Sequence, residues 1–593
     1  MTVDTLAALL AARADDDRPG LLFEDLTWSW REYVATCRTA ATWLDARARA
    51  LERERVLAAP GVARFEAEGA GAEARADEGG GRLHVGVLCD NVPEMVFLLG
   101  GAALSGHVLV ALNPTRSPDE LTRDARATDV DLLLWADPYG ATARRIAAAL
   151  EVDAGPLPAL EPGVSGAEGG ARGSGSGASG TGHAAPSPGP PRGVPGDGRD
   201  PGELVMLIFT SGTSGRPRAV RVTQRKIALP GQSLSALLTH EDVVYCTMPL
   251  FHSGAIMAAY APAVASGAAL VLRRRFSASG LLPDLRRYGC TYLHYVGKAL
   301  SYVLATPQRP DDARNPLRIA FGNEGSSTAI RRFGERFGCR VVDAFGSTET
   351  AVSITPDPAA PPGSLGRLPD GVEIRDPVTG GRCPPAVVEQ GRLVNPDEAI
   401  GELVNVAGLG LFDGYYNDPD ADAERIRYGA FWSGDLAYAD ADGYVFFAGR
   451  GTERLRVDGE NLAVAPIESA LREFPGVVEA AVYPVPDAAA GDQVMAALVL
   501  DTPFDPASFA AFLTSRTDLG PKAIPRFIRI SSDLPQTPSH KVIKRLLARE
   551  AWRSPDPTWW RPAAAEFQRL DRAAVEAIED EFVKHGRQHL LES

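Results

Sequence analysis

Residues 207–218 carry the strongest chemical signal in the sequence, because they read LIFTSGTSGRPR. A β-prone apolar run ends there in hydroxyl side chains interleaved with glycine, and a cation, Arg218, follows. Glycine lets the backbone approach a ligand closely, while hydroxyls and backbone N–H groups donate hydrogen bonds to phosphate. The spacing is not that of the common GxxxxGK[ST] nucleotide loop. The segment predicts a polyphosphate-binding loop, with a flexible Ser/Gly linker as the alternative.

Four distant segments add groups that a nucleotide site needs. Residues 343–349, DAFGSTE, end a predicted strand and offer an aromatic face at Phe345, a hydroxyl at Thr348 and a carboxylate for Mg²⁺ at Glu349. Asp435, in WSGDL, could hold the two ribose hydroxyls. The other two segments are GRGTERLRVDGEN at 449–461 and PQTPSHKVIKR at 535–545. Taken one at a time, these residues fit a core side chain, a turn or a solvated charge equally well.

Lysine is rare in this chain, and its positions therefore carry information. Of 61 basic residues only six are lysine, and two of them, Lys541 and Lys544, lie in the last segment. A positioned ammonium stabilises the charge that develops on phosphate oxygens during nucleophilic attack. Arginine is the ordinary cation here, so an arginine in a place that usually holds lysine is a weak departure.

Length and composition describe a multidomain globular protein. The chain has 593 residues, 45% of them hydrophobic, and a net charge of -15 without a basic patch, which argues against a nucleic-acid partner. The N-terminal residues lack the pattern of a signal peptide, and no apolar run reaches the about 20 residues of a membrane span. We expect a cytoplasmic protein, with peripheral membrane contact left open. The six scattered cysteines predict reduced, structural thiols.

The order of apolar runs predicts two kinds of domain. Strand-like runs alternate with amphipathic segments up to residue 343, which predicts an α/β domain of mainly parallel sheets with helices. From about residue 450 the strands pair around tight turns, and a helix at 466–474 with strands at 479–484 and 493–500 predicts a small α+β domain.

Two stretches poor in large apolar side chains, about 54–82 and 154–202, predict surface insertions without a catalytic part. After Trp560 the spacing favours one long helix to about His585. The expected division is an N-terminal domain over 1–449, a small C-terminal domain over 450–555 and a helical tail over 556–593.

In this order and over this length, the segments resemble the adenylate-forming superfamily of acyl-CoA synthetases, peptide-synthetase adenylation domains and luciferases. The resemblance covers nearly the whole chain except the insertions and the tail. Four segments are similar to the long- and very-long-chain acyl-CoA synthetase branch, which includes fatty acid transport proteins: PLFHSG at 249–254, FSAS at 276–279, YVG at 295–297 and RVDGEN at 456–461.

The resemblance implies a reaction in two halves. A carboxylate attacks the α-phosphate of Mg·ATP and forms an acyl-adenylate and pyrophosphate. A thiol, usually that of CoA, then displaces AMP. The small C-terminal domain is expected to be mobile and to change its arrangement between the two halves.

The resemblance also implies a role for each motif residue. Thr348 would contact the α-phosphate, Glu349 would ligate Mg²⁺, and Lys541 would bridge the substrate carboxylate and the α-phosphate, with Lys544 as the lesser candidate. The β- and γ-phosphates would be held by Thr210, Ser211, Gly212, Thr213, Ser214 and Gly215, with Arg218 as the cation. Adenine would be framed by Gly322, Asn323, Glu324, Phe345 and Gly346. Ribose would be bound by Asp435 and Arg450, the hinge would lie at Glu453, and the acyl site would include His252, Tyr295 and Gly297.

The chain departs from the family pattern at a few positions. Arg218 stands where lysine is usual, Glu453 where aspartate or lysine is usual, and Thr350 and His540 where glycine is common. Four residues in acyl-site segments favour an aromatic or polar substrate: His252, His294, Tyr295 and Lys298.

These departures leave the acceptor open. An ATP-dependent acyl-CoA synthetase is the leading hypothesis. The alternative is a diazotase of actinobacterial secondary metabolism, which adenylates nitrite and transfers the nitroso group to an aryl amine. A binding or transport protein with a dead site is disfavoured, because the motifs are intact.

Overall fold

The computed structural model describes residues 4–58, 81–160, 198–211, 217–297, 299–325, 327–357, 359–389, 392–450, 455–457, 460–462, 464–488, 491–516, 519–536, 542–562 and 566–591. The chain divides into two compact units. The first contains Met1–Leu207, Val222–Glu241 and Tyr260–Leu272, and the second contains Ile208–Arg221, Asp242–Ala259 and Arg273–Ser593. Within the part of the chain that is described, no helix is both long and apolar enough to cross a membrane.

The described strands are β1 (Pro19–Phe23), β2 (Leu26–Ser29), β3 (His84–Leu88), β4 (Val108–Ala111), β5 (Leu132–Trp135), β6 (Asp153–Pro156), β7 (Leu204–Ser211), β8 (Pro217–Thr223), β9 (Val243–Cys246), β10 (Ala269–Leu272), β11 (Tyr292–Val296), β12 (Ile319–Asn323), β13 (Arg340–Asp343), β14 (Ser364–Arg367), β15 (Val372–Arg375), β16 (Val388–Glu389), β17 (Arg392–Leu393), β18 (Gly401–Asn405), β19 (Ile426–Arg427), β20 (Ala430–Ala439), β21 (Tyr444–Arg450), β22 (Leu455–Val457), β23 (Glu460–Leu462), β24 (Val477–Pro486), β25 (Asp492–Leu500), β26 (Phe527–Ile530), β27 (Thr558–Trp560) and β28 (Gln568–Arg569).

The described α-helices are α1 (Leu6–Ala11), α2 (Trp30–Ala58), α3 (Pro93–Ser105), α4 (Pro118–Ala127), α5 (Gly140–Leu150), α6 (Gln224–Ser235), α7 (Ser253–Ala255), α8 (Ala261–Ser266), α9 (Leu281–Tyr288), α10 (Ala299–Leu304), α11 (Ser327–Phe337), α12 (Pro396–Ala399), α13 (Pro419–Arg425), α14 (Val464–Leu471), α15 (Pro506–Ser515), α16 (Lys544–Glu550) and α17 (Arg572–Lys584). A π-helical segment, Ile256–Tyr260, follows α7.

The first unit confirms the predicted alternation of strands and helices. β3 is buried along its whole length and pairs in parallel with β4 and β5. α3 connects β3 to β4 and ends at Gly106, whose φ of 85° favours glycine. α2 approaches α3 closely, because a Cβ added at Gly100 would lie 2.3 Å from the Sγ of Cys37. Small residues therefore let these two helices pack at short distance.

The second unit contains parallel and antiparallel sheets in succession. Its parallel strands lie in the order β13-β12-β11-β9. The next sheet has the order β14-β21-β20-β18-β15 and is antiparallel, with the predicted tight turn at 441–443 joining β20 to β21. The C-terminal strands form a mixed sheet in the order β24-β25-β26-β27-β28, on which α14 packs through Ile467 and Leu471.

Both predicted insertions, 54–82 and 154–202, include residues that belong to regular secondary structure. α2 continues to Ala58, and β6 pairs in parallel with β5, so residues 54–58 and 154–156 belong to regular structure. Most of both stretches, 59–80 and 161–197, lies outside the described residues.

The C-terminal tail differs from the single long helix that the spacing predicts. β27 pairs with β26 and β28, and among the described residues of the tail Arg572–Lys584 is the α-helical stretch. Pro557 and Pro562 flank β27, and proline lacks the N–H that a helix interior requires. Trp559 and Trp560 instead pack against the two apolar clusters of the C-terminal sheet. The tail is thus part of that sheet.

Candidate active site

The carboxyl ends of β11, β12 and β13 bring the predicted adenine residues together. Tyr295 lies opposite Gly322, and Gly322 lies opposite Asp343, in parallel register. Asn323 and Phe345 therefore leave the sheet at the same edge, which is where parallel sheets bind ligands. Phe345 exchanges two backbone hydrogen bonds with Ile354, 3.2 and 3.0 Å long, which hold its main chain in place.

Gly322 and Gly346 have different reasons to be glycine. A Cβ added at Gly322 would lie 2.1 Å from the carbonyl oxygen of Tyr295 and 2.7 Å from its ring. At Gly346 an added Cβ would meet no described atom within 4 Å. Position 322 is therefore closed by strand packing, while the space beside Phe345 is open.

A buried tyrosine–carboxylate pair lies under this edge. The hydroxyl of Tyr295 donates to Oδ2 of Asp343 over 2.7 Å, and the N–H of Gly325 donates to the same oxygen over 2.7 Å. Burial raises the pKa of Asp343 to about 6, and the carboxylate of Glu324 adds to that shift. Tyr295 is 1% exposed, so its hydroxyl, predicted to face the acyl site, is used inside the protein.

Glu324 and Gly297 shape the adjoining turns. Glu324 has a φ of 63° and Gly297 a φ of 54°, both in the left-handed region, which costs the non-glycine residue about 1 kcal/mol or more. The N–H of Gly297 donates to the carbonyl oxygen of Asn323 over 2.8 Å. The Oδ1 atom of Asn323 is buried without a hydrogen-bond partner among the described residues. A purine amino group would satisfy such an acceptor.

The Glu349 cluster, which comprises Arg218, Thr348, Glu349, Tyr415 and Glu424, lies on separate elements of the second unit. Tyr415 donates its hydroxyl hydrogen bond to Oε1 of Glu349 over 2.9 Å. The guanidinium carbon of Arg218 lies 5.5 Å from the centre of the Tyr415 ring, and Arg218 forms an ion pair with Glu424. One tyrosine thus links the predicted Mg²⁺ ligand to the predicted phosphate cation.

Arg218 is 5% exposed, and its Nη1 atom is buried without a hydrogen-bond partner among the described residues. Burial is the largest single influence and disfavours its charge, but the hydrogen bond and ion pair with Glu424, together with Tyr415, outweigh that cost and raise the pKa of Arg218. A buried N–H donor with no acceptor costs about 1–3 kcal/mol. A phosphate oxygen would supply that acceptor, so this observation fits a polyphosphate next to Arg218.

Thr348 and Thr350 flank Glu349 in the chain and differ in what constrains them: a side-chain contact for Thr348 and the backbone conformation for Thr350. The Oγ1 of Thr348 lies 2.8 Å from Oγ of Ser253, so the hydroxyl is held in place. Thr350 has a φ of 52°. A β-branched residue is strained there, which explains why glycine is the usual residue at this point of the pattern.

The donor set around Glu349 suits Mg²⁺ held together with a nucleotide. Mg²⁺ sites of this type use one or two carboxylates together with substrate phosphates. Within the described residues, no three His, Cys, Asp or Glu side chains come together as a metal site of their own. Glu349 is thus a fitting single carboxylate, and a bound Mg²⁺ would neutralise charge on the phosphate oxygens.

The strand pair β20 and β21 places the predicted ribose residues opposite each other. Asp435 pairs with Arg450 in antiparallel register. Asp435 is 6% exposed, and its backbone N–H donates to Oγ of Ser433 over 3.1 Å. The side chain of Arg450 lies outside the described part of the structure.

The histidines of the predicted acyl segments differ in setting. His252 is partly buried, and its ring centre lies 4.7 Å from that of Phe251. His294 is 3% exposed, with Nδ1 3.1 Å from the carbonyl oxygen of Phe321. Its Nε2 has no hydrogen-bond partner among the described residues, and burial lowers the pKa of His294 to about 4. His294 is therefore neutral at pH 7 and adds no charge to this region.

The structure describes one of the two lysines of the last motif, Lys544. The Nζ of Lys544 lies 2.9 Å from Oε1 of Glu468, whose pKa is lowered despite its burial by Lys544 and Arg472. Lys544 thus balances a buried charge, which supports its standing as the lesser candidate. Several predicted residues lie outside the described part of the chain: Lys541, Glu453, Lys298 and residues 212–216 of the loop. Thr210 is partly buried near the end of β7.

Sequence reasoning missed four residues that hold the predicted ones: Ser253, Asp343, Tyr415 and Glu424. Ser253 and Asp343 lie within motifs that were recognised, but their contacts run to Thr348 and Tyr295. Tyr415 and Glu424 lie more than 60 residues beyond Glu349 and some 200 beyond Arg218, respectively. Only tertiary structure brings such pairs together.

Residues 78–416 match the AMP-binding enzyme family, and residues 466–541 match the AMP-binding enzyme C-terminal domain. The fold and the site are those of a nucleotide-dependent ligase with a C-terminal accessory domain. The chain belongs to the AMP-binding enzyme family, the adenylate-forming superfamily that its motifs resemble. It is an AMP-forming, ATP-dependent ligase.

Known relatives span the whole chain. The chain is 41% identical over 595 residues to the steroid-22-oyl-CoA synthetase of Rhodococcus jostii, with 99% of both chains covered. It is 44% identical over 562 residues to the medium/long-chain-fatty-acid–CoA ligase FadD17 of Mycobacterium tuberculosis, with 94% of this chain and 99% of the relative covered. The diazotase alternative finds no support in these relatives.

Among solved structures, ATP-bound MatB from Rhodopseudomonas palustris is similar with a TM-score of 0.71 and 21% identity. The similarity covers 91% of this chain and 98% of MatB. It shows that the two proteins share a fold, and it confirms the predicted α/β class.

Proposed function

We propose that this ligase joins CoA to a large, mostly apolar carboxylic acid of the fatty-acid or steroid-acid type. The observation that carries the proposal is the end-to-end similarity to two relatives named for such acids, at 41% and 44% identity. The geometry supports the use of Mg·ATP in that reaction, because buried Arg218 has an N–H donor for a phosphate, unpaired among the described residues, and Tyr415 holds Glu349 in place.

The interior of the second unit favours an apolar acid over the polar one that the sequence indicates. Two of the residues that favoured a polar substrate are not available to bind one. The hydroxyl of Tyr295 donates to Asp343, and burial keeps His294 neutral. The segment that follows His252 is small and apolar, ending in the π-helical residues Ile256–Tyr260. Such surroundings suit a hydrocarbon chain or ring system.

The proposed reaction assigns a task to each group. A substrate carboxylate oxygen attacks the α-phosphorus, the bond to the bridging oxygen breaks, and pyrophosphate leaves with the electron pair. Arg218 and the loop after Thr210 would hold the leaving pyrophosphate, Glu349 would hold Mg²⁺, and Lys541 would stabilise charge on the reacting oxygens. The CoA sulfur then attacks the acyl carbonyl carbon, its proton passes to solvent, and AMP leaves.

The test is a direct assay of the purified chain with Mg·ATP and CoA. Dodecanoic acid, hexadecanoic acid and a steroid-22-oic acid are each supplied, and AMP and the CoA thioester are measured by mass spectrometry. We expect stoichiometric AMP and thioester with at least one of the three. Absence of acid-dependent AMP with all three would overturn the proposed substrate class. Equal AMP release without CoA but with nitrite and an aryl amine would reinstate the diazotase.

A further inference from the structure

Tyr302 joins three segments of the second unit through hydrogen bonds. Its hydroxyl oxygen lies 2.9 Å from Oε1 of Gln536 and 3.3 Å from Oε1 of Glu479. The side-chain amide nitrogen of Gln536 lies 3.2 Å from both carboxylate oxygens of Glu479. Glu479 is 5% exposed, and burial raises the pKa of Tyr302 to about 12. The tyrosine is therefore a neutral donor at pH 7.

Gln536 stands at the base of the loop that contains Lys541. Gln536 and Val542 form an antiparallel bridge, and the N–H of Ile543 donates to the carbonyl oxygen of Pro535 over 2.7 Å. These contacts hold together the described residues that precede and follow 537–541. Whatever holds the side chain of Gln536 therefore holds the base of this loop.

Tyr302 stands at the other end of the connection. It lies on α10, which begins two residues after Gly297 and follows β11 directly. Tyr302 thus connects the helix that follows β11 to Gln536, the last described residue before the segment that contains Lys541.

We propose that Tyr302 is a positioning residue for the adenylation half-reaction, which sets the Lys541 loop through Gln536 and Glu479. The inference rests on the proposed function and on the role of Lys541 in it. Thiol attack on a finished acyl-adenylate does not need the lysine at the α-phosphate. The contact is therefore required in the first half-reaction and dispensable in the second.

The test compares the two half-reactions in Tyr302→Phe, which removes only the hydroxyl. Adenylation is followed as acid-dependent ATP–pyrophosphate exchange with dodecanoic acid or the steroid-22-oic acid, and thioester formation is followed with the matching synthetic acyl-AMP and CoA. We expect kcat for exchange to fall about 5- to 10-fold, as for one lost hydrogen bond, with the KM for ATP within about twofold. Thioester formation should be unchanged or faster.

Tyr428→Phe is the matched control, because Tyr428 is 96% exposed. It should leave both half-reactions unchanged. A double-mutant cycle with Gln536→Met completes the design: if Tyr302 acts through Gln536, the double variant loses no more exchange activity than the more severely affected single variant.

The outcomes separate this inference from the proposed function. A wild-type chain without acid-dependent exchange overturns the proposed function and the inference with it. An active wild type whose Tyr302→Phe variant slows both half-reactions equally, or neither, overturns the inference alone. Multiplicative losses in the double variant would also overturn it, because they show that the two residues act separately.

Discussion

The second unit contains two tyrosine–carboxylate pairs that look alike and have different surroundings. In the Glu349 cluster, Tyr415 donates to Glu349 over 2.9 Å and also lies against the guanidinium of Arg218. In the second pair, Tyr295 donates to Asp343 over 2.7 Å, and the neighbouring carboxylate of Glu324 helps to raise the pKa of Asp343. The first pair lies next to a cation, and the second lies next to another carboxylate.

The difference teaches that a hydrogen bond from tyrosine does not by itself define a functional carboxylate. Its role depends on which further charges the fold supplies. We therefore expect chemistry to depend on the Glu349 cluster and on Lys541, and stability and its pH dependence to depend on Asp343 and His294. The following predictions test that division.

The largest effect is expected from Lys541→Ala, which removes the proposed cation at the reacting oxygens. Exchange of pyrophosphate should fall about 1,000-fold or more, by analogy with the loss of a preorganised electrostatic group. Lys584→Ala is the control, because Lys584 pairs with Glu581 on an exposed face of α17. Full exchange activity in the Lys541 variant would show that the charge is supplied elsewhere.

Glu349→Gln should lower exchange about 100-fold and raise the Mg²⁺ concentration needed for half-maximal rate. The amide oxygen still accepts the hydrogen bond from Tyr415, so the fold is retained. The measurement is the exchange rate of the wild type and the variant over a range of Mg²⁺ concentrations. If Asp343→Asn loses as much activity as Glu349→Gln, the contrast between the two pairs is wrong.

His294→Asn should remove a pH dependence of stability. The folded-state pKa of His294 is about 4, below its ordinary value of 6.5, so the unfolded chain binds the proton more readily between these pH values. Wild-type stability from this group is complete above pH 6.5 and falls as the pH drops toward 4, by up to about 3 kcal/mol. Urea titrations at several pH values should show the wild type losing stability relative to the variant over that window.

Asp343→Asn should show the opposite sign. The folded-state pKa of Asp343 is about 6, above its ordinary value of 3.8, so the folded chain binds the proton more readily between these values. Wild-type stability from this group is complete below pH 3.8 and falls as the pH rises to 6, by up to about 3 kcal/mol. The variant should therefore gain on the wild type between pH 4 and 6 and keep a constant advantage above. A difference that is flat with pH would contradict the assigned burial.

The smallest effect is expected from Thr350→Gly beside Glu349. Glycine adopts the φ of 52° without strain, and we expect a gain of about 0.5–1 kcal/mol in the free energy of unfolding, net of the flexibility added to the unfolded chain. Thr350→Ala keeps a Cβ at the same φ and should show little gain. Thermal melts of the three proteins provide the measurement.

Sequence reasoning reached most of the architecture around the site. The alternation near residue 84 predicted the parallel strands, and the tight turn at 441–443 predicted the antiparallel pair that sets Asp435 opposite Arg450. Motif order placed Phe345 and Gly322 in one site, and the structure brings them to one sheet edge. Local patterns succeed here because strand ends and turns are specified by nearby residues.

Tertiary context decided the remainder. The residues next to Tyr295 in sequence do not indicate that its hydroxyl donates a hydrogen bond to Asp343. The residues next to Glu349 likewise do not indicate its hydrogen bond with Tyr415. The tail after Trp560 was expected to be one helix because its spacing is amphipathic, yet Pro562 lies at the start of that stretch, β28 pairs with β27, and α17 begins only at Arg572. Such outcomes depend on partners that are distant in sequence.

Gly322 has a consequence for any attempt to redesign this enzyme. An added Cβ would collide with the backbone of Tyr295, which cannot move without unpairing β11 from β12. If position 322 were replaced by every residue type, glycine alone would give folded, active protein. That result could be mistaken for evidence that residue 322 contacts the nucleotide. The same set of replacements at Gly346, where space is open, would show which side chains are compatible with a bound ligand. A loss of function on replacing Gly322 therefore reflects strand packing, whereas a loss of function on replacing Gly346 reflects ligand binding.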